Sequence, residues 1–226
     1  MNPRSETGKD AVDSAIVALA APDCDHVVVL VDDDPSILRA LERLLVSRGY
    51  TVRAFPGPAE LLEWGEPQVP ACLVLDHLLG GGETGLELHA TLRGLGWTAP
   101  TVFLTAHWDV PSVVQAMRDG ADGFLTKPCE PGDILAAVAR AMTCALERHA
   151  ARLESADLSA RAALLTEREK EVVRLVVGGA LNKEAAEQLG LALVTIKVHR
   201  GNAMRKLGAR TAAELARLAG EAGIVG

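Results

Sequence analysis

The pattern of hydrophobic positions changes once, and sharply, along the chain. From His26 onward, short apolar runs alternate with stretches in which apolar residues recur every three or four positions; beyond Leu165 only the second pattern remains. The runs 27–31, 51–54, 71–75, 101–104 and 123–126 predict five strands. The first helix opens at Asp34-Pro35, with Asp34 as N-cap and Pro35 as first helical residue. It carries a stripe of Ile37, Leu38, Leu41, Leu44 and Leu45 and stops at Gly49. A weak helix follows over 59–64, Thr84 and Glu87 form a capping box for the third, Pro111 opens the fourth, and Pro131 opens the fifth, striped by Ile134, Leu135, Val138, Met142 and Ala145. Strands and helices in strict alternation predict an α/β fold with a five-stranded, doubly wound parallel sheet.

The fifth helix has an alanine-rich, charged continuation to about Leu158, readable as helix or as solvated linker. Everything beyond is helical. Thr166 and Glu169 form a capping box for a helix that buries Val172, Leu175 and Val176 and ends at Gly178-Gly179. Asn182 is expected to cap a short second helix with Ala185, Ala186 and Leu189, Gly190 makes a turn, and a longer helix covers 193–207. Two helices around a glycine turn make a helix-turn-helix, whose longer member enters the major groove of DNA. The expected organisation is therefore a flexible or partly helical tail over 1–25, an α/β domain over 26–148, a helical linker over 149–164 and an all-α domain over 165–226.

Charge sharpens this division. Residues 160–226 hold 11 Lys/Arg against 7 Asp/Glu, a net of +4, whereas the preceding residues hold 12 against 23, a net of −11. A basic C-terminal unit suits a polyanion, although a solvated surface gives the same imbalance. Cys24, Cys72, Cys129 and Cys144 form no CxxC pair, which argues against structural zinc, and reduced thiols are expected. The apolar stretch 15–21 is too short to span a membrane, so a cytoplasmic protein is expected.

In a parallel sheet, ligands bind at the carboxyl ends of the strands. Those ends carry Asp32, Asp33 and Asp34, then Asp76, Thr105 and Lys127-Pro128. Clustered carboxylates repel one another unless a cation intervenes, and Mg2+ (or Mn2+) suits such oxygen ligands. With Asp34 engaged as a cap, Asp32 and Asp33 remain for the metal. Asp76, alone at the end of its strand, is the natural nucleophile for phosphoryl transfer, with Thr105 and Lys127 meeting the phosphate. On the longest C-terminal helix, Ile196, His199, Ala203 and Leu207 should pack inward, leaving Thr195, Lys197, Val198, Arg200, Asn202 and Lys206 for DNA.

Val31-Asp32-Asp33, Leu75-Asp76, Leu104-Thr105-Ala106 and Thr126-Lys127-Pro128 resemble the signature set of receiver domains. The segments 165–169, 182–186 and 195–200 resemble the LuxR/FixJ-type helix-turn-helix. This resemblance implies a two-component response regulator phosphorylated on Asp76 by a sensor histidine kinase. It implies Asp33 as a direct metal ligand, Asp32 nearby, the backbone carbonyl of Leu78 as a third protein ligand, a cis Lys127-Pro128 peptide and Phe124 as switching aromatic. It also implies a homodimer on phosphorylation that reads paired promoter half-sites, with Lys197 and Val198 at base-contacting positions. The loop after Asp76 departs from the family: Leu79-Gly80-Gly81-Gly82 replaces the usual Met-Pro or Leu-Pro, and Gly85 comes one residue late. Trp108 is large for its position, and Gly201 stands where some relatives carry lysine. Two alternatives follow from these departures and from the acidic pocket: a receiver that works without phosphorylation, and a phosphohydrolase with an aspartyl nucleophile.

Overall fold

The computed structural model describes residues 26–106 and 120–225. The expected tail, Cys24, His107, Trp108 and the helix opened by Pro111 lie outside the described residues. The described residues form two compact units, divided between His149 and Ala150.

In the first unit, strands β1 (Val27–Val31), β2 (Thr51–Phe55), β3 (Ala71–Asp76), β4 (Thr101–Thr105) and β5 (Gly123–Thr126) form one parallel sheet in the order β2-β1-β3-β4-β5. The central strands β1, β3 and β4 are buried along their whole length, as their continuous apolar runs require. Strand alternation divides the sheet into two faces. Val28, Leu30, Cys72, Val74, Val102 and Leu104 join one core with Leu38, Leu41 and Leu45 of α1 (Pro35–Val46) and with Ile134, Val138 and Met142 of α4 (Pro131–Ala163). Val27, Val29, Val31, Leu73, Leu75 and Phe103 join the other with Leu61 of α2 (Pro58–Trp64) and Leu88 and Leu92 of α3 (Gly85–Gly94). Asp34 caps α1 by accepting the Ser36 N–H, and the Thr84/Glu87 box opens α3, both as the spacing predicts.

In the second unit, α5 (Glu167–Val177), α6 (Asn182–Leu189), α7 (Leu193–Leu207) and α8 (Ala212–Glu221) pack together. Gly190 adopts a left-handed conformation (φ 65°) between α6 and α7, the backbone geometry that the turn needs and that glycine adopts without strain. Val172, Ala185, Ala186 and Ile196 form one core, while Val173, Ala203, Leu207, Leu215 and Ala219 form another. Leu158 and Ala162 belong to the latter, so residues expected as linker contribute to this core, and α4 is helical through Ala163.

Two local expectations need correction. Asn182 does not cap α6: Leu181 holds the extended cap conformation and Asn182 is the first helical residue. The Leu181 N–H is satisfied instead by the Glu184 carboxylate at 2.7 Å. The helix α8 and its Thr211 cap, which accepts the Glu214 N–H at 3.1 Å, did not emerge from the hydrophobic pattern.

Candidate functional site

The register of the sheet brings the strand-end residues together. Val31 pairs with Leu75, Asp76 with Leu104 and Thr105 with Thr126, so the polar residues ending these strands share one rim. Asp32, Asp33 and Asp76 each offer a carboxylate oxygen, and the three lie within 4.8 Å of one another. Lys127 reaches across the rim: its Nζ donates to Asp32 Oδ2 at 2.6 Å and lies 3.1 Å from Asp76 Oδ2. The remaining oxygens are held by backbone: Asp32 Oδ1 accepts the Asp34 N–H, and Asp76 Oδ1 accepts the His77 N–H. Burial pushes the Asp32 carboxyl up, and the Lys127 ammonium and Asp34 amide only partly oppose it. Burial alone would lower Lys127, but its bonds to Asp32 and Asp76 reverse the sign and hold the ammonium above its ordinary value.

Thr105 is buried at the end of β4, and its carbonyl accepts the Lys127 N–H at 2.6 Å. The Lys127-Pro128 peptide is cis. Phe124 is half-buried, with its ring 6.4 Å from that of Phe103. Leu78, two residues after Asp76 in the chain, is 54% exposed. The long glycine loop closes on itself: Leu78 bridges Thr84, the Leu79 N–H donates to the Glu83 carbonyl, and Gly80–Gly82 makes a 3-10 turn. A side chain would be crowded at Gly80 in this loop and would not fit at Gly85, where α3 begins. A Cβ on Gly80 would lie 3.1 Å from Asp33 Oδ2, and one on Gly85 would lie 2.1 Å from the Asp76 carbonyl oxygen. This crowding against Asp33 and Asp76 was not legible in the sequence, which marks the glycines but not their neighbours.

On the second unit, Ile196, Ala203 and Leu207 are buried and His199 is half-buried, as the helical stripe predicts. Lys197 and Val198 are exposed; Thr195, Arg200 and Asn202 are half-buried. Arg200 donates to Asn182 Oδ1 at 3.1 Å, and Asn202 accepts from Arg205 at 2.9 Å. Lys206 departs from the expectation that it faces DNA. Its ammonium donates to Glu169 Oε2 at 2.6 Å and to the Leu164 carbonyl at 2.9 Å, tying α7 to the start of α5. The periodicity places Lys206 on the outer side of its helix but carries no information about a carboxylate 37 residues earlier.

Glu169 is itself buried and also accepts the Thr166 N–H at 2.8 Å. Burial raises its pKa, but the bonds from Lys206 and Thr166 outweigh it and leave the carboxyl below its usual range. A depressed carboxylate stabilises the fold fully above its unfolded value, about 4.3, and that contribution disappears as pH falls through the folded value. Melting temperature should therefore drop between about pH 5 and pH 3, as thermal melts will show. Lys206→Met should cost about 1–3 kcal/mol at neutral pH and flatten this dependence. An unchanged pH profile in that variant would remove Glu169 as its source.

The two units match two protein families. The profile of the response regulator receiver domain matches residues 28–139, and that of the bacterial regulatory proteins of the luxR family matches residues 163–219. Nodulation protein W of Bradyrhizobium diazoefficiens is 39% identical over 198 residues, covering 88% of this chain and 87% of its own. The transcriptional regulatory protein FixJ of Rhizobium meliloti is 33% identical, covering 86% and 95%. The chain belongs to the LuxR-type response regulators. Among solved structures, the response regulator StyR is similar with a TM-score of 0.78 at 40% identity, covering 87% of this chain and 98% of its own. This response regulator thus joins a receiver to a LuxR-type DNA-binding domain, and its relatives are transcriptional regulators of two-component systems, whose control by phosphorylation is typical of the family. No helix among the described residues is long and apolar enough to cross a membrane.

Proposed function

We propose that this response regulator accepts a phosphoryl group on Asp76 from a sensor histidine kinase and thereby changes the DNA affinity of its C-terminal unit. The observation that carries the assignment is the single ammonium of Lys127 lying within 3.1 Å of carboxylate oxygens on both Asp32 and Asp76. A carboxylate oxygen of Asp76 attacks the phosphorus of a phosphohistidine; the P–O bond forms as the P–N bond breaks, and the imidazole departs. Lys127 and the Thr105 hydroxyl then meet the phosphoryl oxygens, and Phe124 responds to the displacement of Thr105.

The donor set fits a hard divalent ion. Asp32, Asp33 and Asp76 supply oxygens within 4.8 Å, and Gly80 leaves the space beside Asp33 clear of a side chain; these carboxylates would hold the ion, with the Leu78 carbonyl as the further protein ligand that the family resemblance implies. Mg2+ (or Mn2+) there supplies neutralisation of phosphoryl charge. The receiver spans 26–148, the C-terminal unit contacts promoter half-sites through Thr195, Lys197, Val198, Arg200 and Asn202, and the phosphorylated form is a homodimer acting in the cytoplasm. A phosphohydrolase reading lacks its acid: the position two residues beyond Asp76 carries Leu78, which has no proton to give.

The test is intact mass after incubation with acetyl phosphate. One phosphoryl group is expected with Mg2+ and none with a chelator; a mass that never changes under either condition overturns the reading in favour of a phosphorylation-independent receiver.

The exposed Leu78 side chain sets the lifetime of that phosphate. An apolar branched group two residues after Asp76 would hinder an approaching water, so Leu78→Asn should speed loss of phosphate about tenfold, equivalent to ~1.4 kcal/mol off the barrier. The check is the decay of phosphorylated protein after removal of the donor; equal half-lives for the two proteins would remove Leu78 from this role.

A further inference from the structure

The outward side of α7 carries apolar side chains where a solvated helix normally carries polar ones. Val194 and Val198 are 67% and 55% exposed, and the adjoining Leu193 is 43% exposed. Val194 and Val198 are four residues apart and so share one helix face. Three residues beyond Val198 on that face stands Gly201, also exposed, where an added Cβ would meet nothing within 4 Å. No packing inside the unit requires this glycine, yet a mid-helix glycine costs about 1 kcal/mol relative to alanine. A cost without internal return indicates something that approaches the helix closely from outside. The exposed cations Lys197 and Arg205 adjoin this face. That arrangement complements a polyanion and not an apolar protein surface.

We infer that Val194, together with Val198, reads thymine C5-methyl groups in the major groove, with Gly201 allowing the helix backbone to approach the base edges. The inference rests on the DNA-binding reading of α7 and adds Val194 as a specificity-determining residue. The thymine methyl is the apolar group that the major groove offers to a side chain. Four residues of helix rise about 6 Å, against 3.4 Å per base step, so the two methyls belong to thymines about two steps apart. The cations hold the helix on phosphate, a contact that carries no sequence information of its own. The valines supply discrimination of a kind that hydrogen-bonding side chains do not.

The test uses the full-length protein treated with acetyl phosphate and Mg2+. A tight-binding duplex is first selected from a random-sequence library, and each thymine is then replaced singly by deoxyuridine, which removes only the methyl. Wild type should lose affinity about fourfold at two thymines of each half-site. Val194→Ala should be indifferent to the change at one of them and Val198→Ala at the other. Selected DNA that tolerates every deoxyuridine equally overturns the inference while leaving DNA binding intact. Failure to select any sequence over the starting library overturns the DNA-binding reading itself. A Val194→Ala protein with unchanged deoxyuridine sensitivity but altered oligomeric state would assign the patch to protein contact and overturn the inference.

Discussion

Asp76→Asn should end covalent phosphate incorporation completely and, with it, every phosphodonor-dependent change in DNA affinity. The variant is nearly isosteric, and the amide oxygen can still accept the His77 N–H that Asp76 Oδ1 accepts at 2.8 Å. What it loses is the nucleophile and one negative charge. Lys127 then keeps its bond to Asp32 at 2.6 Å but loses its ionic partner at 3.1 Å. Because the pocket holds, among the described residues, the carboxylates of Asp32, Asp33 and Asp76 against the Lys127 ammonium, removal of one negative charge should leave the fold intact or slightly stabilised, so the loss reads as chemistry and not as unfolding. The measurement is intact mass and DNA titration with and without acetyl phosphate. Incorporation of one phosphoryl group by the Asp76→Asn protein would move the acceptor to another side chain.

The second large effect is structural. In Gly85→Ala the new methyl falls 2.1 Å from the Asp76 carbonyl oxygen and 3.1 Å from its carbonyl carbon, both backbone atoms that cannot rotate away. Phe103 closes the third side at 3.3 Å. The Gly85 N–H also donates to the His77 carbonyl at 2.8 Å, so separating the two segments breaks a backbone bond as well. Overpacking of this kind costs about 3 kcal/mol or more and displaces the end of β3, so phosphorylation should fall with stability. Gly94→Ala is the matched control: a Cβ there meets nothing within 4 Å, and removing a glycine from α3 should stabilise by up to ~1 kcal/mol. Denaturant titrations of both variants decide the matter; equal midpoints would mean that the loop yields freely.

Much of this architecture was legible because its causes are local. Continuous apolar runs made β1, β3 and β4 central strands, and the parallel topology then put Asp32, Asp76, Thr105 and Lys127 on one rim. The Asp34 cap and the Thr84/Glu87 and Thr166/Glu169 boxes follow from contacts within four residues. What escaped depends on partners distant in sequence. Asn182 has a capping side chain, but Arg200 of α7 recruits its oxygen, and Leu181 takes the cap position with Glu184 serving its N–H. Lys206 sits on an outer stripe by periodicity, yet the buried Glu169 claims its ammonium. The need for glycine at position 85 arises from a backbone approach that no spacing rule encodes. Helix α8 had a signal in Thr211 and Glu214, the same three-residue spacing that revealed α5.

The central claim is that charge placed on Asp76 is felt by the DNA-binding helices. Its most direct test is one binding titration: full-length protein against a duplex selected from a random-sequence library, at fixed salt, before and after acetyl phosphate treatment with Mg2+. Phosphorylated wild type should bind at least tenfold more tightly or more weakly than untreated protein, a shift of about 1.4 kcal/mol, while Asp76→Asn should give superimposable curves. Superimposable curves for a wild-type protein shown by mass to carry phosphate would contradict the account.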